Sequence, residues 1–503
     1  MPDLYQELIK LADSEMYPLH MPGHKRNLES TPMKGAFRCD ITEIDGFDNL
    51  HDESGIILEA ENRANELYGS DKTYFLVNGS TSGVLSAVSA ALNEGETILA
   101  ARGSHKSFYN AVYLRHLKVK YLPYYINSLY GMPESYSLED VVNNITDDIR
   151  AVFITSPTYE GKCSDIESIA KACHERNIPL IVDAAHGAHF GFEGSKLYSD
   201  EEYDCLPKNA IQMGADIVIH SVHKTLPSMT QTALLHVQGD LIDRGRLKRF
   251  LRIYQTSSPS YVFMSSIDLC IKEMRENGNK FVDRLLEFRN RIQNATRKCR
   301  FLKVLGKSAI DDASKVVIYV VNGTMTGQSL YDILREEYNL QLEMAGDKYA
   351  LAIISGWDTD EGINRLISAV LEIDARLARE SDNKFNDNDK LNMTPEIDEK
   401  EAYSRVEYAL PQVAISLGDA WDSETEIVCL ANAEGRISAE FINLYPPGIP
   451  LIAPGEVFSE KIIQEIRHYL DQGMNVQGIV DVSTDDRNQG MEYRKGFICV
   501  RQK

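Results

Sequence analysis

Between about residues 56 and 240, amphipathic helix-like segments alternate with short apolar runs. This alternation is typical of βαβ units, in which successive strands lie parallel in one sheet and helices cover its faces. Polar residues collect at the carboxyl ends of the apolar runs, and in open α/β sheets that edge is where ligands bind. The six runs predicted to be strands are TYFLVNG, ETILAA, AVFITSP, IPLIVDAA, ADIVIHS and TALLHV.

Beyond this region the sequence predicts two smaller units. A long helix is expected over 262–300, and the apolar runs SKVVIYVV and YALAIIS flank another helix at 327–338. A polar stretch rich in Asp and Asn then has the composition of an exposed linker. We therefore divide the chain into an N-terminal segment (1–55), a large α/β domain (56–270), a small α+β domain (271–380), an acidic linker (381–401) and a C-terminal α+β domain (402–503).

Composition limits the function classes. A net charge of -22 and a pI near 5.0 argue against a nucleic-acid partner or an anionic membrane surface. The acidic field would suit a cationic substrate, although it also serves solubility. Eight cysteines without a CxxC pair fit reduced cytosolic thiols and no metal site. The N-terminus does not resemble a signal peptide, and no apolar run approaches the ~20 residues of a membrane span. We expect a cytoplasmic protein.

A loop rich in hydroxyl groups follows the first predicted strand, in the stretch LVNGSTSG (76–83). Gly79 allows the backbone to turn, while Ser80, Thr81 and Ser82 offer hydroxyls at the start of a helix. Together with the helix N–H groups they suit an anion. They also suit an ordinary helix cap. The spacing matches neither a Walker loop nor a dinucleotide fingerprint.

Two further strand ends carry ionisable residues. In IPLIVDAAHGAHF (178–190) a strand delivers Asp183, followed by His186 and His189. A buried carboxylate needs a partner, which a ligand cation or a following helix would supply. In GADIVIHSVHKTLPSMTQTALLH (214–236) the strand end carries Lys224, close to Ser221. Burial disfavours an ammonium, so this lysine is either solvated or has a chemical role.

An anion-binding loop, a strand-end Asp and a strand-end Lys are together what pyridoxal phosphate requires. Its phosphate needs hydroxyls and a helix N-terminus, and its pyridine nitrogen needs a carboxylate. Its aldehyde needs a lysine amine for a Schiff base. The combination therefore predicts pyridoxal phosphate as the cofactor.

The chain resembles the ornithine/lysine/arginine decarboxylases of bacterial type, which are fold-type I pyridoxal phosphate enzymes. The resemblance covers nearly the whole chain, and it implies a large domain with a mostly parallel central sheet. The stretches that carry it are MPGHKR (21–26), DITEIDGFDNLH (40–51), LVNGSTSG, SHKSFYNAV (104–112), SPTYEG (156–161), DAAHGAHFGF (183–192), SVHKTLPSMTQTA (221–233), QTSSPSY (255–261) and YPPGIPLIAPGE (445–456).

The resemblance implies a role for each candidate residue. Lys224 is similar to the Schiff-base lysine and Asp183 to the partner of the pyridine nitrogen, and either Lys224 or His223 would move a proton. Glu456 is expected to face the substrate cation. The residues implied to hold the cofactor are Ser80, Thr81, His105 (through ring stacking), Asp183, His186, Ser221, His223, Lys224 and Ser257.

The resemblance also implies a homodimer or higher homo-oligomer with a shared active site, in which QTSSPSY reaches a neighbour's phosphate. The MPGHKR motif begins at residue 21, whereas the longer members begin with a receiver-like domain. This chain resembles the short form.

The activity we expect is decarboxylation of a basic amino acid, with arginine (to agmatine and CO2) ahead of lysine and then ornithine. A pyridoxal phosphate aminotransferase is a more distant alternative. The run YALAIISG lacks the arginine that an aminotransferase would use for the α-carboxylate. A non-catalytic regulator that binds pyridoxal phosphate is another alternative, but no basic tract supports it.

Overall fold

The computed structural model describes residues 3–29, 31–196, 198–384, 405–444, 449–481 and 495–501. The helices are α1 (Leu4–Ala12), α2 (Lys34–Cys39), α3 (Ile56–Tyr68), α4 (Gly79–Ala91), α5 (Lys106–Leu114), α6 (Leu138–Val142), α7 (Ile166–His174), α8 (Val222–Thr225), α9 (Arg244–Tyr254), α10 (Tyr261–Thr296), α11 (Gly327–Glu336), α12 (Asp360–Lys384), α13 (Leu417–Trp421) and α14 (Glu460–Asp471). Short 3₁₀ turns lie at Val321–Gly323 and Leu430–Asn432.

The strands are β1 (Lys72–Leu76), β2 (Thr97–Ala100), β3 (Lys118–Tyr121), β4 (Tyr124–Asn127), β5 (Ile149–Thr155), β6 (Leu180–Asp183), β7 (Ile217–His220), β8 (Ala233–Val237), β9 (Leu302–Val304), β10 (Lys315–Val320), β11 (Met344–Ala345), β12 (Tyr349–Ile353), β13 (Arg405–Tyr408), β14 (Thr425–Cys429), β15 (Ile442–Leu444), β16 (Ile449–Ile452), β17 (Val476–Gln477), β18 (Ile479–Asp481) and β19 (Lys495–Val500).

A seven-stranded sheet with the order β1-β8-β7-β6-β5-β2-β3 forms the centre of the large domain. The pairs from β7 across to β3 are parallel, while β8 is antiparallel to both β1 and β7. The predicted mostly parallel sheet is therefore confirmed, and all six predicted strands belong to it. The sequence reading omitted β3, whose residues are exposed or half-buried rather than apolar.

Helices cover both faces of this sheet because successive strand residues point to opposite sides. In β7, Val218 packs into the core beneath α3, α7 and α10, whereas Ile217 and Ile219 pack into the core beneath α4, α5 and α9. The two cores make the sheet a rigid platform for residues at its edge.

The helix α10 connects this platform to a second sheet of four strands, with the order β11-β12-β10-β9. The long helix predicted over 262–300 is present, at Tyr261–Thr296. The proposed boundary at residue 270 falls inside it, so the division into domains stays a prediction. The proposed linker begins within the end of α12, and its residues 385–401 lie outside the described ranges.

The C-terminal part contains two three-stranded sheets, β14-β19-β18 and β16-β15-β17, packed with α14. Its first strand, β13, pairs instead with β4 of the large domain. Over the described ranges, no helix is long and apolar enough to cross a membrane.

Candidate active site

Three loops meet at one edge of the central sheet. Asp183 ends β6, Ser221 follows β7, and Ser80 lies in the first turn of α4 after β1. These three strands run in the same direction, so their carboxyl ends share one edge, as expected for a ligand site in an α/β sheet.

Lys224 lies in the single-turn helix α8, and its Nζ is 3.0 Å from Nε2 of His186. Burial lowers the pKa of the Lys224 ammonium, the nearby Asp183 carboxylate opposes this shift, and Lys315 adds to it. A lowered pKa favours the neutral amine, which is the nucleophilic form that attacks an aldehyde.

Asp183 is 4% exposed, and its Oδ1 accepts a hydrogen bond from the backbone N–H of Ala185 at 3.1 Å. Burial raises the pKa of this carboxyl group, and the charge of Lys224 opposes the shift. A further cation beside Asp183 would stabilise the ionised form.

The hydroxyl groups of Ser221 and Ser80 are joined, because Ser221 Oγ donates to Ser80 Oγ at 2.9 Å. Thr81 follows in the exposed first turn of α4, whereas Ser82 is buried and donates to the carbonyl of Gly79 at 2.8 Å. The structure therefore leaves the hydroxyl donors of Ser80 and Thr81 for an anion, while the buried Ser221 orients Ser80.

Two histidines of the site are neutral. Burial and the nearby charge of Lys224 lower the pKa of His105 to about 4. Burial also lowers the pKa of His223, against a hydrogen bond from its ring to the carbonyl of Thr232. That bond joins Nδ1 to the Thr232 oxygen over 2.9 Å, so Nδ1 carries the proton and Nε2 is free to accept one.

His186 and His189 do not form a pair. His186 packs edge-on against Tyr159, with ring centroids 4.5 Å apart, and its Nδ1 is buried without a partner among the described residues. His189 is fully buried and bonds Asp312 Oδ1 at 2.9 Å. Within the described ranges there is no cluster of His, Cys, Asp or Glu suited to a metal ion.

Ser257 lies in the exposed loop between α9 and α10. The neighbouring Thr256 N–H donates to Asn78 Oδ1 at 3.1 Å, which holds the loop beside the start of α4 in the same chain. The expected reach of Ser257 to a second subunit stays a prediction.

The structure gives Glu456 a different partner from the one expected. Arg102 donates to both oxygens of Glu456, at 2.7 and 2.9 Å, and both side chains are 2% exposed. The backbone N–H of Ala453 also donates to Glu456, at 2.7 Å. A substrate cation would have to displace Arg102 to reach this carboxylate. Glu456 therefore forms a structural ion pair with Arg102, and the structure gives no support to its predicted role in substrate binding.

The sequence analysis did not assign a role to three residues that lie near the site: Lys315, Glu343 and Tyr159. Lys315 is fully buried at the start of β10, 3.5 Å from Asp312 Oδ2. Glu343 is exposed and accepts a hydrogen bond from the hydroxyl of Tyr159. Its charge partly opposes the lowering of the Lys224 pKa by burial. Only Tyr159 carried a signal, since it belongs to the SPTYEG stretch; Lys315 begins an apolar run and Glu343 lies in no motif.

This geometry fits pyridoxal phosphate. Lys224 supplies the amine, Asp183 a buried carboxylate with a single backbone hydrogen bond from Ala185, and the pair Ser221–Ser80 an anion site at the start of a helix of 13 residues. Nδ1 of His186, which has no hydrogen-bond partner among the residues that the structure describes, is one further polar atom at the site.

Comparison with known proteins decides the family. The model of the Orn/Lys/Arg decarboxylase major domain matches residues 2–346, and the model of its C-terminal domain matches residues 398–477. The chain belongs to the Orn/Lys/Arg decarboxylase family. It is a pyridoxal-phosphate-dependent decarboxylase, which confirms the resemblance found in the sequence.

Individual relatives agree with this assignment. The chain is 31% identical over 493 residues to the arginine decarboxylase of Bacillus subtilis, with 95% of each chain covered. It is 28% identical over 506 residues to the arginine decarboxylase of Bacillus anthracis, with 98% of this chain and 97% of the relative covered. The constitutive lysine decarboxylase of Escherichia coli has the same fold, with a TM-score of 0.77 at 18% identity over 100% of this chain and 82% of its own.

Proposed function

We propose that this decarboxylase converts L-arginine to agmatine and CO2. The observation that supports arginine is the match of 31% identity to an arginine decarboxylase along 95% of both chains. A lysine decarboxylase of Pseudomonas aeruginosa matches at 23% identity, over 76% of its length. Lysine and then ornithine are the alternative substrates.

In this proposal, different residues bind different groups of the cofactor. Lys224 would bind the cofactor's aldehyde, and Asp183 would keep its pyridine nitrogen protonated. Ser80, Thr81 and Ser221 would hold its phosphate at the start of α4. When bound, pyridoxal phosphate withdraws electrons from the substrate's Cα and so weakens the bond to the carboxylate.

Other residues position groups and move protons. The neutral ring of His105 would lie against the cofactor face, and His186 holds the amine of Lys224. His223 has an unprotonated Nε2, so it or Lys224 exchanges a proton with Cα. Glu343, which is exposed beside Lys224, replaces Glu456 as the candidate anionic wall for the substrate's distal cation.

We further propose that the working unit is a homodimer or a higher homo-oligomer, in which Ser257 contacts the phosphate of the neighbouring subunit. None of the eight cysteines, all of which lie in the described ranges, forms a disulfide, and this suits the cytoplasm as the location.

The test is to incubate the purified holoenzyme separately with arginine, lysine and ornithine, and to measure CO2 and identify the amine by mass spectrometry. We expect agmatine as the main product and no keto acid. The Lys224→Ala variant should release no CO2, whereas Lys208→Ala, which removes an exposed lysine, should match the wild type. Cadaverine or putrescine as the main product would refute arginine, and a keto acid would indicate an aminotransferase.

A further inference from the structure

A cavity of about 120 Å³ lies where the large domain, the four-stranded sheet and the C-terminal part meet. At the roughly 30 Å³ that each water occupies in the liquid, this volume holds about four waters, or a short alkylamine. None of the residues predicted to bind the cofactor lines it. The cavity therefore has a different lining from the cofactor site, although its lining residues Glu160 and Met344 directly follow Tyr159 and Glu343 in the chain.

Three carboxylates line this cavity, each from a different part of the molecule: Glu160, Asp347 and Glu465. The only cation among the described residues that line it is Arg102. Nη1 and Nη2 of Arg102 each donate a hydrogen bond to Glu456, so the charge of Arg102 is already paired. Asp347 and Glu465 therefore give the cavity wall a negative charge, whereas burial raises the pKa of Glu160.

Of the three carboxylates, Glu160 gives the clearest indication of a ligand. It is 3% exposed, and its Oε1 accepts from the hydroxyl of Tyr349 at 2.9 Å. Its Oε2 is buried without a hydrogen bond to any described residue. Such an atom costs free energy until a donor satisfies it.

Aromatic rings complete the wall. The hydroxyls of Tyr408 and Tyr469 both donate to Glu465, with the Tyr469 bond 3.2 Å long. Burial raises the pKa of both phenols, so they stay protonated as donors. A carboxylate that accepts two hydrogen bonds keeps lone pairs for a third donor, and tyrosine faces attract cations.

We propose that this cavity is a second binding site of the decarboxylase, which takes an alkylamine or alkylguanidine that lacks a carboxylate. Negative side chains and tyrosine faces recognise the cationic end, and Glu160 Oε2 accepts one of its N–H groups. Because no lining cation is unpaired, the α-carboxylate of an amino acid would be repelled. This inference rests on the proposed function. The expected occupant belongs to the chemical class of the decarboxylation product and not to that of the substrate.

The test is calorimetric titration of the holoenzyme with agmatine and, separately, cadaverine, together with the visible absorption of the cofactor. Absorption reports occupancy at Lys224, while heat reports all sites. We expect a second class of bound amine that leaves the cofactor absorption unchanged. Glu465→Gln should weaken that class by roughly ten- to hundred-fold, since it removes a charge-assisted hydrogen bond.

Two further variants sharpen the result. Glu460→Gln makes the same charge change on α14 but does not line the cavity, and it should bind the amines as the wild type does. Glu160→Gln should weaken the second class like Glu465→Gln, which covers the case that one variant fails to fold. A single class of site in the wild type, or two unweakened variants, would overturn the proposal.

Arginine separates the two ligand classes. In Lys224→Ala, which cannot turn it over, we expect arginine to bind the cavity at least about ten-fold more weakly than agmatine. Equal affinity would overturn the exclusion of carboxylates. These readouts do not depend on CO2 release, so a different preferred substrate would leave them interpretable.

Discussion

Asp183 is held at the sheet edge with less stabilisation than a buried carboxylate usually has. At 4% exposure it receives the Ala185 N–H and the field of Lys224, and its pKa is still raised by burial. A positive charge on the cofactor's pyridine nitrogen would supply the missing stabilisation. The same residue without a cofactor would resemble a simple turn-capping Asp.

Replacing Asp183 with Asn separates these two readings. An amide cannot stabilise a protonated pyridine, so kcat/KM for decarboxylation should fall by about 10²–10³-fold, in line with the loss of one partner of a buried charge pair. Steady-state CO2 release and cofactor absorption measure this. The control Asp243→Asn changes the cap of α9 and should keep the activity. Wild-type rates in Asp183→Asn would make it only a cap.

Glu456 shows the opposite balance, because its charge already has a partner. Breaking a buried ion pair on one side leaves the other charge uncompensated, which typically costs about 3–5 kcal/mol. Arg102 also packs over Tyr121, 5.0 Å from the ring centroid, so it cannot easily move into water.

Glu456→Gln should therefore lower the stability by about 3–5 kcal/mol while kcat/KM of the folded enzyme changes little. Denaturant unfolding and steady-state kinetics measure the two effects. The double variant Arg102→Met with Glu456→Gln should regain part of the loss, since no charge is left unpaired. If the stability is unchanged and kcat/KM for arginine drops, Glu456 contacts substrate after all.

Among the elements, β7 and β8 carry a buried chain of polar side chains across the sheet. His220 Nδ1 lies 3.1 Å from His236 Nε2, and His236 Nδ1 lies 2.8 Å from the hydroxyl of Thr73. Burial lowers the pKa of His220 to about 3 and that of His236 well below its usual range. Both imidazoles are therefore neutral in the folded protein.

These histidines predict sensitivity to acid. Below about pH 6.5 the unfolded chain binds protons that the folded chain refuses, so stability falls as the pH drops from about 6.5 towards 3. His220→Gln should make the unfolding midpoint less dependent on pH between 7 and 5, as measured by thermal unfolding at each pH. His116→Asn, at an exposed position, should keep the wild-type slope. An unchanged slope in His220→Gln would contradict the neutral assignment.

Sequence reasoning recovered the elements whose pattern is local. The six apolar strands were identifiable because each is buried on both faces and reads as a continuous apolar run. The strand β3 was not, because its burial alternates between exposed and half-buried residues. The pairing of β13 with β4 joins residues far apart in the chain, and no local pattern specifies such a partner.

The same distinction applies to the site. Lys224, Asp183 and Ser80 follow strands in one sheet, so their proximity follows from topology. Lys315 and Glu343 come from the second sheet and reach Lys224 only through packing between domains. The sequence likewise could not predict the partner of Glu456, since Arg102 lies 354 positions away in the chain.

At the scale of the whole molecule, the C-terminal part completes the large domain. The strand β13 supplies the hydrogen-bonding partner of β4, and Glu456 neutralises Arg102. Tyr109 and Phe441 also contact across this boundary, with ring centroids 5.4 Å apart. Without these contacts the large domain would expose an unpaired strand edge and a buried charge.

A chain of residues 1–384 alone should consequently aggregate or unfold at lower temperature. Co-expression with a separate chain of residues 398–503 should restore a soluble complex that copurifies through a tag on either piece. Size-exclusion chromatography and thermal unfolding measure both effects, with the uncut protein as control. A fragment 1–384 that is soluble and as stable as the intact chain would disprove this interdependence.

The 36 residues of α10 make an element about 54 Å long along its axis, at 1.5 Å per residue. One end adjoins the loop that carries Ser257, and the other adjoins β9 of the sheet that carries Glu343. The Ser257 loop and the sheet that carries Lys315 therefore adjoin opposite ends of one continuous helix.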